Sequence, residues 1–218
     1  LAIDREQIVK HVTLGHQLPG NMFTPPGTGG YDPVVKLPTD LSRLAEAKKL
    51  LADAGYPGGK GLPSMEILYN TSEGHKKIAE ALQQMWKKNL GVEVTLFNQE
   101  WKVYLDSMRN GQFALGRQGW IADYNDPTTF LDLLVSDNGN NRSGWKNVQY
   151  DTLIDKAGKE IDKKKRLEYF RQAEEIAMEE LPVIPLYIYN RHYLKTLNVE
   201  GWYPNIEDHH PLKYVTVK

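Results

Sequence analysis

Residues 65–120 constrain the fold of this chain more than any other stretch, because their apolar pattern keeps switching period. Met65-Glu66-Ile67-Leu68-Tyr69 reads as a strand, and Ser72 can cap a helix running to about Asn89. Ile78, Leu82, Met85, Trp86 and Leu90 mark the apolar face of that helix, and Gly91 stops it. Val92-Glu93-Val94-Thr95-Leu96-Phe97 then alternates at period two, as a strand should. A helix over about 99–109 precedes Gly111 and a strand-like run over 113–120. Strand, helix, strand, helix, strand at such short spacing predicts a parallel α/β sheet, since parallel neighbours need a crossover that a helix supplies.

The flanks are less regular. A helix is expected over about 5–14, with Asp4 as its N-cap and Gly15 ending it. Residues 17–39 carry Pro19, Pro25, Pro26, Pro33 and Pro38, which prevent regular structure and predict a long ordered loop covering or lining something. Further helices are predicted over 42–54, 128–135, 148–158 and 163–180. The basic start of the last, Lys163-Lys164-Lys165-Arg166, opposes the helix dipole and reads as a solvated surface. Strands are expected over 183–189, where Pro185 demands an edge or an irregularity, and over 214–217.

Charge and cysteine usage narrow the function. Lys and Arg number 27 against 28 Asp and Glu, a formal charge of −1, which removes the electrostatic case for a nucleic-acid or anionic-membrane partner. With no cysteine there is no disulfide framework, zinc-cysteine site or thiol nucleophile. Leu1 stands just before an amphipathic helix with no leader-like segment, so an excised lobe is expected rather than a native start.

No GxSxG, HExxH, phosphate-binding loop or dinucleotide fingerprint is present. Asp208-His209-His210 could ligate a metal, although adjacent histidines point in different directions and an exposed loop is the better reading. Asp123 and Asp126 could form an acid/base pair, but Asp126-Pro127 is equally well explained as a helix start. The segment Arg117-Gln118-Gly119-Trp120-Ile121-Ala122-Asp123 combines a fixed cation, a large aromatic, a glycine and a carboxylate. It lies at the C-terminal end of a predicted sheet strand, where open α/β folds place ligands, and its groups suit a small zwitterion.

Motifs along the chain resemble a known family. They are Ala2-Ile3-Asp4-Arg5-Glu6, Thr24-Pro25-Pro26-Gly27, Glu46-Ala47-Lys48-Lys49-Leu50-Leu51, Tyr69-Asn70-Thr71-Ser72 and Trp86-Lys87-Lys88-Asn89-Leu90-Gly91-Val92. Gln99-Glu100-Trp101, Gly119-Trp120 with Ala122-Asp123-Tyr124-Asn125 and Pro127, and Ile184-Pro185-Leu186-Tyr187 complete the series. In this order they resemble the C-terminal lobe of the oligopeptide-binding proteins of bacterial ABC importers, in extracellular solute-binding protein family 5.

The resemblance implies a type II periplasmic-binding-protein-like lobe, a mainly parallel sheet flanked by helices, spanning residues 1–218. Residues 213–218 would return toward an absent N-terminal lobe. It further implies a non-enzymatic receptor without cofactor or metal, periplasmic or lipid-anchored at the cell surface. Its partners would be short peptides and the membrane permease subunits of an importer.

By the same resemblance Asp123 would pair with the peptide α-ammonium. Gly119 and Ile121 would add the peptide as a strand through their backbone, and Trp101 and Trp120 would wall its side-chain pockets. Arg117 and His75 would be cations meeting its C-terminal carboxylate, and Tyr189 a further contacting aromatic. Taken without the family, Trp101 reads as core packing and His75 as an exposed side chain after Gly74.

Arg117 and Asp123 would lie about 20 Å apart in a straight strand, whereas a tripeptide spans about 10 Å, so the chain must bend, and Asp123-Tyr124-Asn125-Asp126-Pro127 has the turn composition to allow it. Met108 stands where some relatives carry a further arginine, which bears on carboxylate selection, and Ala114 stands where an acidic residue is common. Other solutes of the same fold (a nickel chelate, an opine, an oligosaccharide, a murein peptide) remain open, as does a hydrolase using Asp123 and Asp126.

Overall fold

The computed structural model describes residues 1–218. Its central strand is β2, Met65–Asn70, numbered after a short β1 at Leu18–Pro19. β2 pairs in parallel with β3 (Val94–Gln99) on one side and with β4 (Leu115–Gly116) on the other, giving the order β3-β2-β4. Period-two alternation sends Ile67 and Tyr69 to one face, against Ile78, Ala79 and Leu82 of α3 (Glu73–Leu90). Leu68 faces the other way, onto Tyr104 and Met108 of α4 (Trp101–Arg109). Helix, parallel sheet and helix therefore form three layers, as the alternation of periods predicts.

A second apolar core lies among helices. Val148–Lys159 (α6) packs on Lys163–Glu180 (α7) through Tyr150, Leu153, Ala157, Phe170 and Ala173, joined by Leu131 of α5 (Thr128–Leu131) and by Tyr31 of the long loop. Glu174 fixes that loop to α7: its carboxylate accepts from the Phe23 and Thr24 amides at 2.9 and 2.8 Å and from the Tyr31 hydroxyl at 2.7 Å. Burial raises the Glu174 pKa, and these hydrogen bonds only partly oppose the rise. The largely irregular residues 17–39 are thus tied to α7 by a buried carboxyl.

Arg5 ties the first helix to the far end of the chain. It is fully buried, and its Nε donates to the Pro185 carbonyl at 2.8 Å and its Nη1 to the Pro38 carbonyl at 3.1 Å. Burial lowers its pKa to about 10, so it stays charged at neutral pH and its carbonyl partners carry that charge.

Several expected elements differ in detail. The first helix is α-helical only over Arg5–Gln7 (α1) and continues as a π-helix over Ile8–Thr13; Leu14, at φ 55°, takes the left-handed position expected of Gly15. Ser72 stands at the N-cap of α3 without a side-chain cap bond. α2 spans Leu44–Asp53, close to expectation.

The strands expected over 113–120 and 183–189 pair only at β4 and at β5 (Tyr187–Ile188), the latter antiparallel to β1. β6 (Val199–Glu200) and β7 (Thr216–Val217) pair antiparallel near the C-terminus. The basic start of α7 is capped by Asp162, whose carboxylate accepts from the Lys164 and Lys165 amides. Arg166 is no solvated side chain: it grips Asp126 with two bonds of 2.7 and 2.9 Å.

Candidate functional site

β4 is an edge strand, and the chain leaves it without finding another partner. The Arg117 amide still donates to the Leu68 carbonyl at 2.8 Å, continuing the parallel ladder for one more bond. From there, residues 118–122 make no backbone hydrogen bond within the chain, and the Asp123 amide donates to the Thr129 hydroxyl at 2.9 Å. Gln118, Gly119 and Ile121 are exposed. A run of unpaired N–H and C=O groups beside a sheet edge is a template for an added strand.

Side chains make a cleft of about 340 Å³ over this segment. α4 supplies one wall. Trp101 is 53% exposed and stacks on Tyr104 at 5.6 Å and 21°, so it is not the core residue that its position alone would indicate. Tyr104 is buried, and its hydroxyl donates to the Arg117 carbonyl, which anchors the start of the unpaired run. Trp120 contributes a second aromatic, its indole Nε1 buried and without a hydrogen-bond partner.

Tyr189, just beyond β5, closes the opposite side. Its hydroxyl accepts from Arg117 Nη2, which also reaches the Tyr187 hydroxyl at 3.4 Å. Gly119 has no space for a side chain, since a Cβ there would lie 2.7 Å from the Tyr189 ring.

Trp101, Arg117, Gly119, Trp120, Ile121 and Tyr189 therefore line one cleft, while His75 and Asp123 stand outside that lining. His75, in the first turn of α3, donates from Nδ1 to Asn70 Oδ1 at 2.9 Å. Burial, and then the charge on Arg117, lower its pKa below the ordinary value, so at neutral pH it is a neutral ring rather than a second cation. The Asp123 carboxylate is exposed and has no partner within the chain.

Asp126 differs. Burial pushes its pKa up, but hydrogen bonds from Arg166 and Thr128 outweigh this and hold it below the usual carboxylate range. It is a helix-start and ion-pair residue, not a free partner for Asp123. The chain bends at residues 123–126, where it turns into α5, within the 123–127 stretch whose composition predicts a turn.

Near the C-terminus, Asp208 bonds His210 Nε2 and Arg191 Nε, each at 3.1 Å, and the Tyr193 hydroxyl. No three His, Asp or Glu side chains are grouped to hold a metal.

The sequence motifs meet in space. Asn125 Oδ1 accepts from the Gly29 amide at 2.7 Å, joining the segment after Thr24-Pro25-Pro26-Gly27 to the Ala122-Asp123-Tyr124-Asn125 turn. Gly29, at φ 58°, lies so close that a Cβ would stand 3.1 Å from Pro127. The family model for bacterial extracellular solute-binding proteins, family 5 Middle, matches residues 1–142. The chain belongs to this family.

It is 40% identical over 221 residues to the periplasmic oligopeptide-binding protein OppA of Salmonella typhimurium, covering 100% of this chain and 40% of that protein. It is 43% identical over 190 residues to the probable deoxycholate-binding periplasmic protein YgiS of Escherichia coli, covering 86% of this chain and 35% of that protein. The fold matches Haemophilus influenzae OppA in complex with RPPGFSPFR at a TM-score of 0.85 and 35% identity, over 99% of this chain and 43% of that one. The chain thus spans about 40% of the length of such relatives. The α/β fold with a parallel sheet flanked by helices is that of a solute-binding-protein lobe.

Reading the sequence missed Asn140 and Arg142, which also line the cleft. They sit in an Asn- and Gly-rich turn far from the Gly119-Trp120 motif, and nothing in spacing connects the two. Met108 lines the cleft as well and is otherwise buried against Leu68, so its position is filled by an apolar side chain. Ala114 is exposed, and nothing around it explains the residue.

Proposed function

We propose that residues 1–218 are the C-terminal ligand-binding lobe of a two-lobed receptor that captures short peptides for an ABC importer. The observation that carries this reading is the unpaired backbone of residues 118–122 beside the β4 edge, lying between the Arg117 cation and the exposed Asp123 carboxylate. Main-chain bonding is blind to side-chain identity, so strand addition gives affinity with broad sequence tolerance. Asp123 pairs with the α-ammonium of the peptide by a charge-assisted contact, and Gly119 and Ile121 bond its main chain.

Trp101, Trp120 and Tyr189 wall the side-chain pockets, and Arg117 faces the carboxylate end with His75 behind it. The receptor is a carrier and not an enzyme. It works in the periplasm or tethered at the cell surface, handing ligand to membrane permease subunits. The other lobe closes over the cleft, and residues 213–218 run toward it.

The names of the relatives support this reading: several bind oligopeptides, and one was solved with a nonapeptide. The likeness to a probable deoxycholate-binding protein favours a second reading, an amphipathic anion held among the aromatics. In the two-lobed protein, Asp123→Asn is expected to weaken free-amino tripeptides by about tenfold or more and N-acetylated ones by less than about twofold, measured by calorimetry. Equal losses for both would remove Asp123 from its role, and binding of deoxycholate but of no peptide would favour the second reading.

A further inference from the structure

The cleft over residues 117–121 has an uneven charge. Arg109, Arg117 and Arg142 are among its lining residues, and no aspartate or glutamate is. Arg109 is paired with Asp106 at 3.0 Å. Arg117 donates to two tyrosine hydroxyls, which orient the guanidinium without neutralising it. Arg142 donates from Nη2 to Asn140 Oδ1 at 3.1 Å and meets no carboxylate.

Its loop is nevertheless well held. Asn141 Nδ2 donates to the carbonyls of Leu134, Val135 and Trp145 at 3.4, 3.2 and 2.8 Å, and the Arg142 amide donates to the Asn140 carbonyl at 2.8 Å. The Tyr104 hydroxyl reports both cations. Burial raises its pKa and the charges on Arg117 and Arg142 oppose the rise, and both arginines line the same cleft as Tyr104. Met108, at the floor, adds no charge, and His75 is neutral at neutral pH.

We infer that Arg142, acting with Arg117 across the aromatic cleft, forms a carboxylate-binding pocket and so is a specificity-determining residue of this receptor. This rests on the proposed function and deepens it, naming which ligands the cleft prefers. The anion is a carboxylate because paired guanidinium forks match its planar geometry. It comes from one of two places on a peptide, the C-terminal α-carboxylate or an acidic side chain seated between Trp101 and Trp120. The segment carrying Arg142 is remote in sequence from the Gly119-Trp120 motif, so the second cation of the pocket reaches it from another loop while position 108 is apolar.

The test is calorimetry on the two-lobed protein and its Arg142→Gln and Arg142→Lys variants. The probes are Ala-Gln-Ala, Ala-Glu-Ala and C-amidated Ala-Gln-Ala. Arg142→Gln is expected to lose about five- to tenfold in affinity for the carboxylate that Arg142 meets, and Arg142→Lys less than about threefold. A loss confined to Ala-Glu-Ala assigns an acidic side chain. A loss shared by Ala-Gln-Ala and Ala-Glu-Ala but not by the amide assigns the C-terminus; either supports the pocket.

Equal losses for all three probes, or no loss for any, would overturn it. If the unaltered protein binds none of the peptides, the peptide reading fails on its own, and the pocket is judged with deoxycholate. Binding weakened by Arg142→Gln then upholds the pocket; binding indifferent to it, or absent, overturns it.

Discussion

Gly119 couples the shape of the site to its charge. A Cβ there would meet the Tyr189 ring at 2.7 Å, and the Tyr189 hydroxyl is the acceptor that orients Arg117. Gly119→Ala must displace the ring and with it the guanidinium. Because Tyr189 is 45% exposed, little packing is lost. The variant is therefore expected to lose about tenfold in tripeptide affinity while its melting temperature moves by less than about 2 °C, checked by calorimetry beside thermal unfolding. A lowered melting temperature with unchanged affinity would place the role of Gly119 in the fold instead.

The same residue-by-residue view divides Asp123 from Asp126. One carboxylate is exposed and unpartnered, while the other is gripped by Arg166 and caps the turn into α5. Both lie in the same turn, and composition alone could not separate them.

Among the elements, the long loop depends most on a single buried group. Glu174 of α7 holds Phe23, Thr24 and Tyr31 while its own pKa is raised by burial. A carboxyl whose folded pKa lies above its unfolded one adds stability below the unfolded value and loses it as pH rises through the folded value. Glu174→Gln keeps an oxygen for the two amides and carries no charge. It is expected to melt higher than the unaltered chain at pH 7, with the gap closing toward pH 4, measured by thermal unfolding across that range. A gap that widens as pH falls would show that the Glu174 charge stabilises the loop instead.

Which elements were legible follows from where their information resides. α2, α3, α6 and α7 match expectation within a residue or two, since an amphipathic face written at helical spacing is local. β2 and β3 were legible because they pair fully with each other. The runs over 113–120 and 183–189 have strand composition but shrink to two paired residues each, because pairing depends on a neighbour that the pattern does not encode. At 118–122 that missing neighbour is the proposed ligand. Arg142 escaped notice for the related reason that a cleft gathers loops irrespective of their order in the chain.

At the scale of the whole molecule, the parallel sheet and the helical core are bridged by the same motifs that carry the family likeness. Arg5 joins the first helix to Pro185 ahead of β5, and Asn125 joins the Gly29 loop to the turn after the site. These contacts set the positions of Tyr187, Tyr189 and Asp123 around the β4 edge, so a large part of the motif series is scaffold for a short run of open backbone. A formal charge of −1 suits this arrangement: the proposed ligand is zwitterionic and is met by local charges, Asp123 at one end and the cleft arginines at the other, not by a net field of the chain.

In the proposed complex, a peptide completes the sheet edge at residues 118–122. Amide hydrogen exchange on the two-lobed protein, with and without a bound tripeptide, tests it most directly. The Gly119 and Ile121 amides are expected to slow by at least about tenfold on binding. Unchanged exchange at both amides while the peptide is bound would contradict it.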